Sequence, residues 1–225
     1  MRPLPARSAR AALVALAALL ALPGPAARGA PDGAAAGAGT IVVLGDSLSA
    51  GYGIRPEQGW VTLLGQRLQQ EGYGYRVVNA SVSGETTDGG LARLPRVLAA
   101  HHPAVVVVEL GANDGLRGLP IAEMRHNLER IVAGAQAAGA RVLVIGMRMP
   151  ENYGADYTTR FAASFADVAR ARKAALVPFL LERVALDEGS FQADGMHPVA
   201  AAQPKLLETV WPQLQALLGT RAGTR

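Results

Sequence analysis

The stretch IVVLGDSLSAGYG, residues 41–53, runs from an unbroken apolar segment into glycines and hydroxyls. An apolar run without polar alternation is what a strand covered on both faces requires, and in an open parallel sheet ligands bind beyond the carboxyl ends of the strands. Asp46 and Ser47 therefore stand where an α/β protein keeps its chemistry.

With a first strand over 40–44, the segments 75–80 (YRVVNA), 104–110 (AVVVVEL), 141–147 (RVLVIGM) and 174–179 (AALVPF) read as further buried strands, being nearly continuous in Val, Leu and Ile. Helical stripes fall between and after them: Trp60, Leu63, Leu64 and Leu68; Met124, Leu128, Ile131 and Val132; Phe161, Phe165 and Val168; and Leu206, Leu207, Val210, Leu214 and Leu217. Such alternation predicts an α/β fold, a parallel sheet with helices on both faces. The 225 residues suffice for one domain with a substantial core.

Residues 1–30 carry Arg2, Arg7 and Arg10 ahead of an apolar stretch over 11–22, followed by Pro, Gly and small residues. That order is the signature of a secretory signal peptide, with small-residue cleavage sites at Ala26 or Ala27, or at Ala34 to Ala36. Its 12 apolar residues are fewer than the ~20 that span a bilayer. Residues 31–225 are then expected to form a single domain, entered through the small-residue linker 31–39, in a periplasmic or secreted protein without a stable membrane anchor. Four of the 22 basic residues lie in the first thirty positions with no acid, so the remainder balances at 18 against 18. The basic pI of about 9.8 thus gives no reason to expect a nucleic-acid partner. The absence of Cys excludes disulfides, a thiol nucleophile and a lipid-modified cysteine.

Three glycine-rich polar loops follow the first three strands: GDSLSAGYG (45–53), NASVSGETTDGG (79–90) and GANDGLRG (111–118). In a parallel sheet they open on one edge. A fourth cluster, DGMHP (194–198), precedes the last helix. A hydrolytic serine needs a base that titrates near working pH, which points to the 4 histidines. His126 falls on the polar side of its helix, and His101 and His102 end a helix ahead of Pro103 at the opposite edge. His197 is the candidate, because Asp194 stands three residues before it and a turn can bring both side chains to one side, with the second ring nitrogen facing Ser47. Taken singly, D-x-x-H also describes an Asp-capped turn. Ser47 also suits a helix N-cap, and G-D-S-L-S does not match the nucleophile elbow G-x-S-x-G.

Taken together, GDSLS, NASVSGETT with Gly84, VELGANDGLRG with Asn113 and DGMHP with Asp194 and His197 resemble the four blocks of the SGNH hydrolases, also called GDSL lipases/esterases. The likeness runs from about residue 40 to 215 and is closest to the family's bacterial periplasmic thioesterase and lysophospholipase branch. It implies a three-layer α/β/α sandwich around a flavodoxin-like five-stranded parallel sheet, a serine hydrolase of acyl esters and thioesters, no metal, no cofactor and a monomer. It further implies Ser47 as nucleophile, His197 as base, Asp194 as its orienting group, and an oxyanion hole made of the Ser47 N–H, the Gly84 N–H and the Asn113 amide. A glycine at 84 lets backbone approach the substrate, and Asn113 is a neutral donor where charge develops. Asp46 is expected to brace the loop rather than react. The loop 115–120 is expected to cover bound acyl chains, with Leu116, Met147 and Met149 as apolar lining and a core role equally open to Met147. Two departures from the branch are Ala112 before the Asn and Gly53 after SAGY. A short-chain acetyl esterase of the same family, and a flavodoxin-like binding module or a receiver domain using Asp46 and Asp114, are the alternatives.

Overall fold

The computed structural model describes residues 39–219, so the expected signal peptide and its cleavage sites lie outside the described residues. Five strands, β1 (Gly39–Gly45), β2 (Tyr75–Asn79), β3 (Val105–Glu109), β4 (Arg141–Ile145) and β5 (Ala175–Val177), form one parallel sheet in the order β2-β1-β3-β4-β5. The valine and isoleucine runs of β1, β3 and β4 are buried because helices cover both faces. Helices α2 (Trp60–Gln70) and α7 (Gln203–Gln215) pack together on one face. Helices α3 (Thr87–His101), α5 (Ile121–Ala137) and α6 (Ala155–Arg172) pack side by side on the other, and the short α1 (Ser47–Ala50) and α4 (Ala112–Leu116) follow β1 and β3. This is the expected three-layer α/β/α sandwich.

The predicted helical stripes are the buried faces: Trp60, Leu64 and Leu68 on α2, Phe161 and Phe165 on α6, and Leu206, Val210 and Leu214 on α7. The last strand is shorter than the expected 174–179. The chain leaves the sheet at Pro178, which has no N–H to continue a ladder, and Phe179 turns towards the site described below. His102 caps the end of α3 in the left-handed conformation and His126 is exposed, so neither approaches Ser47. Among the described residues no helix is long and apolar enough to cross a membrane.

The chain passes from β1 to β2 on one side and then to β3 on the other. Splayed loops at this switch point open a crevice over the carboxyl edge, between the loops that carry α1 and α4.

Candidate active site

Gly45 ends β1 where no side chain fits, since a Cβ there would lie 2.8 Å from Ser49 Cβ and 2.9 Å from Glu109 Oε2. Asp46 then caps α1, its Oδ1 accepting from the Leu48 N–H at 3.0 Å. The cap that the sequence offered to Ser47 is thus taken by Asp46. Ser47 is the first helical residue, and its hydroxyl is directed elsewhere.

It meets His197, whose Nε2 lies 2.9 Å from Ser47 Oγ, while Nδ1 lies 2.7 Å from Asp194 Oδ2. The other oxygen of Asp194 accepts from the N–H groups of Met196 and His197 at 2.9 and 3.0 Å. D-x-x-H is therefore both an Asp-capped turn and a hydrogen-bonded file, one carboxylate oxygen serving each purpose. These backbone donors, more than the ring, hold the Asp194 carboxyl down at about 2, so it is an anion at any working pH. A carboxylate at Nδ1 favours the tautomer that leaves Nε2 free to accept the Ser47 hydroxyl.

The two partners sit 150 residues apart, and Gln192 ties their loops together. Its Nε2 donates to the carbonyls of Tyr52 at 2.8 Å and Pro198 at 3.2 Å, and its N–H donates to the His197 carbonyl at 2.8 Å. The Tyr52 ring lies 4.6 Å from the His197 ring, centroid to centroid. Gly53, one of the two departures, has φ +74° and abuts the Gln192 amide, which a Cβ there would displace.

Gly84 and Asn113 stand at the same crevice. Gly84 has φ +79°, and a Cβ there would meet only Arg117 Nη2, at 3.6 Å, which leaves open space beside its backbone. Neither its N–H nor that of Ser47 donates to a protein acceptor among the described residues. Asn113 Nδ2 lies 3.1 Å from Asp46 Oδ2 and 3.0 Å from the Glu85 carbonyl, so its amide is aimed by two acceptors. Asp114, the acid that a receiver reading would use, is buried and accepts from the Thr87 N–H and hydroxyl at 2.9 and 2.5 Å. It braces α4 against α3.

Beneath this layer lies a carboxyl that the sequence reading did not single out. Glu109 ends β3 fully buried, its Oε2 accepting from Ser49 Oγ at 2.7 Å and from the Asp46 N–H at 3.4 Å, with Oε1 unpartnered. Burial, reinforced by Asp46, pushes its carboxyl well above the usual range. The signal was a single acid closing the run VVVVE.

Folding also raises the Asp46 carboxyl from 3.8 to about 6, chiefly through burial. A carboxyl raised in this way favours the folded state while it is protonated, and that stability is lost as the pH climbs from about 4 through about 6. At ~1.4 kcal/mol per decade, the loss is about 3 kcal/mol at neutral pH. Asp46→Asn keeps an oxygen for the Leu48 N–H and carries no charge. Thermal unfolding should show it gaining stability over wild type at pH 7 and not at pH 4, and an equal change at both would count against a buried anion.

The crevice continues into a cavity of about 620 Å³ walled by Leu116, Met147, Met149, Phe179, Leu181 and Phe191. Met147 and Met149 are both largely buried, so Met147 serves core and cavity at once. Ala112, the second departure, lines this space. The loop 115–120 is fastened from several sides: Arg117 donates to the Gly84 carbonyl at 2.7 Å, Leu119 N–H to Asp114 O at 2.9 Å, Tyr157 OH to Gly115 O at 3.1 Å and Tyr153 OH to Leu116 O at 3.4 Å. Among the described residues no group of three or more His, Asp and Glu is placed to hold a metal ion.

A hydroxyl, an imidazole and a carboxylate in file at the switch point of a parallel sheet are the arrangement of a serine hydrolase. The particular lineage follows from comparison with known proteins: the chain belongs to the GDSL-like Lipase/Acylhydrolase family, which matches residues 43–203. It is 55% identical over 183 residues, 81% of this chain and 91% of that protein, to Esterase TesA of Pseudomonas aeruginosa. It is 42% identical, over 82% of this chain and 87% of that one, to the thioesterase 1/protease 1/lysophospholipase L1 of Escherichia coli K12. A solved structure of the psychrotrophic esterase EstA from Pseudoalteromonas sp., inhibited by monoethylphosphonate, aligns with a TM-score of 0.76 at 39% identity, covering 79% of this chain and 97% of that one. The chain is an acyl hydrolase, and neither a flavodoxin-like module nor a receiver.

Proposed function

We propose that this protein is an exported, monomeric serine hydrolase that cleaves acyl esters and thioesters of small molecules, lysophospholipids included, through an acyl-enzyme. The observation that carries the reading is the file Asp194, His197, Ser47 opening directly onto the apolar cavity. As Ser47 Oγ bonds to the acyl carbon, its proton passes to His197 Nε2 and the carbonyl pair moves onto oxygen. Collapse expels the alcohol or thiol, which takes that proton. Water then attacks the acyl-Ser47 ester, His197 accepting its proton and returning it to Oγ as the acid leaves. Residues 1–30 direct export and residues 31–225 are one domain.

The Ser47 and Gly84 N–H groups, unclaimed by protein acceptors, and the Asn113 amide receive the oxyanion. Asp46 sets the Asn113 rotamer, while the bond to the Glu85 carbonyl yields to the stronger, charged acceptor. Asn113→Ala should therefore lower kcat by roughly 10²–10³-fold, as loss of one oxyanion donor does. A change confined to KM would count against the role.

The reading is tested by initial rates on p-nitrophenyl esters from acetyl to palmitoyl, with wild type beside Ser47→Ala. Ser47-dependent hydrolysis of medium and long chains is expected from a cavity of this volume. Hydrolysis restricted to acetyl would replace the reading with a short-chain esterase of the same family.

A further inference from the structure

Single exposed apolar residues are ordinary on a protein surface, but their clustering is not. Among the described residues the exposed large apolar side chains all lie at the carboxyl edge of the sheet. Tyr52 follows β1, Val82 follows β2, Leu116 and Leu119 follow β3, and Tyr153 follows β4. Leu186, at 101% relative exposure, follows β5, and Met196 precedes α7. Tyr52, Leu116 and Met196 themselves line the acyl cavity, and the others lie within three residues of a lining residue: Val82 beside Ser83, Leu119 after Leu116, Tyr153 after Glu151 and Leu186 beside Ala185. They form a ring around one opening. Among the described residues, large apolar side chains on α2, α3, α5, α6 and α7 and at the amino edge of the sheet are buried or half-buried.

These side chains come from five separate segments, Leu116 and Leu119 sharing one and Leu186 and Met196 another, with polar residues between them, so they offer no continuous face to a folded protein and suit a fluid partner into which each inserts alone. Two are tyrosines, the residue type that settles at a membrane–water boundary. The charges on and beside these loops come in both signs, Arg55 with Glu57, Lys205 of α7 with Asp187 and Glu182 next to Arg183, so nothing selects an anionic surface. We propose that the ring docks the enzyme onto a zwitterionic phospholipid bilayer, so that an acyl chain passes from the leaflet into the cavity without crossing water. The choice of a lipid partner rests on the acyl-hydrolase reading above.

The test uses the full chain and vesicles of dioleoylphosphatidylcholine. Trp60 and Trp211 are buried, so Leu186→Trp adds the one exposed indole among the described residues. Its emission should move to shorter wavelength when vesicles are added. Val82→Ser/Leu186→Ser, at positions outside the cavity wall, should hydrolyse lysophosphatidylcholine carried in those vesicles about tenfold more slowly or worse, from the lost insertion of two aliphatic side chains. Its rate on dissolved p-nitrophenyl butyrate should match wild type. Unchanged emission, or a wild-type rate of the double variant on the vesicle-borne substrate, overturns the proposal. An emission shift that appears without vesicles as protein concentration rises, with a dimer in sedimentation, assigns the ring to a second copy of the chain and overturns it too. If wild type hydrolyses neither substrate, the hydrolase reading falls, and the Leu186→Trp emission still decides the docking.

Discussion

Ser47→Ala should lose nearly all turnover on every ester tested, leaving at most the ~10³–10⁴-fold advantage over water that binding and an oxyanion hole supply. The expectation follows from the division of labour at the end of β1. Asp46 takes the helix cap, so the Ser47 hydroxyl has no structural bond to lose and points only at His197. Removing it should leave the unfolding temperature close to wild type while the rate collapses. Retention of most of the wild-type rate would remove Ser47 from the reaction, and a large drop in stability would mean that the hydroxyl also holds the loop.

Asp194→Asn should lower kcat by roughly 10⁴-fold, an effect of tautomer rather than of charge alone. An amide presented to Nδ1 with its nitrogen forces the imidazole to accept there and to protonate Nε2, the atom that must receive the Ser47 proton. With its oxygen turned to Nδ1, the same amide forfeits the acceptor that the Met196 and His197 N–H groups now use. Because the Asp194 carboxyl is held at about 2, its stabilising contribution is present above its ordinary value of 3.8 and lost only as the pH falls through about 2. The wild-type kcat/KM profile should therefore show no break from Asp194 above pH 3. A wild-type rate for Asp194→Asn, or a break at the ordinary carboxylate value, would contradict this arrangement.

The sheet was legible because its strands are read against a simple requirement: β1, β3 and β4 are covered on both faces, so their sequences contain almost nothing but Val, Leu and Ile. β5 was read too long for an equally physical reason. Leu176, Val177 and Phe179 are all apolar, but Phe179 is apolar for the cavity and not for the sheet. The contacts of Ser47, His197 and Asp194 were legible from four blocks in order, though which residue caps α1 needed coordinates, since both Asp46 and Ser47 are good caps. What stayed hidden were long-range partners with no local signature. Nothing near Gln192 reveals that its amide reaches the Tyr52 carbonyl, and nothing in VVVVE says that Glu109 will stand under Asp46. Contacts of this kind are set by the topology that brings distant loops to one edge.

The joining of the first and last loops has a consequence for the newborn polypeptide. His197 is 150 residues downstream of Ser47, and it is held there by a segment anchored through α7, where Gln203 accepts from the Trp60 N–H at 3.0 Å. At about 5–20 residues per second, a ribosome needs roughly 8–30 seconds to pass from one to the other. Throughout that interval the Ser47 hydroxyl has no imidazole to meet. The file of Ser47, His197 and Asp194 thus cannot close before the last of its loops has been made.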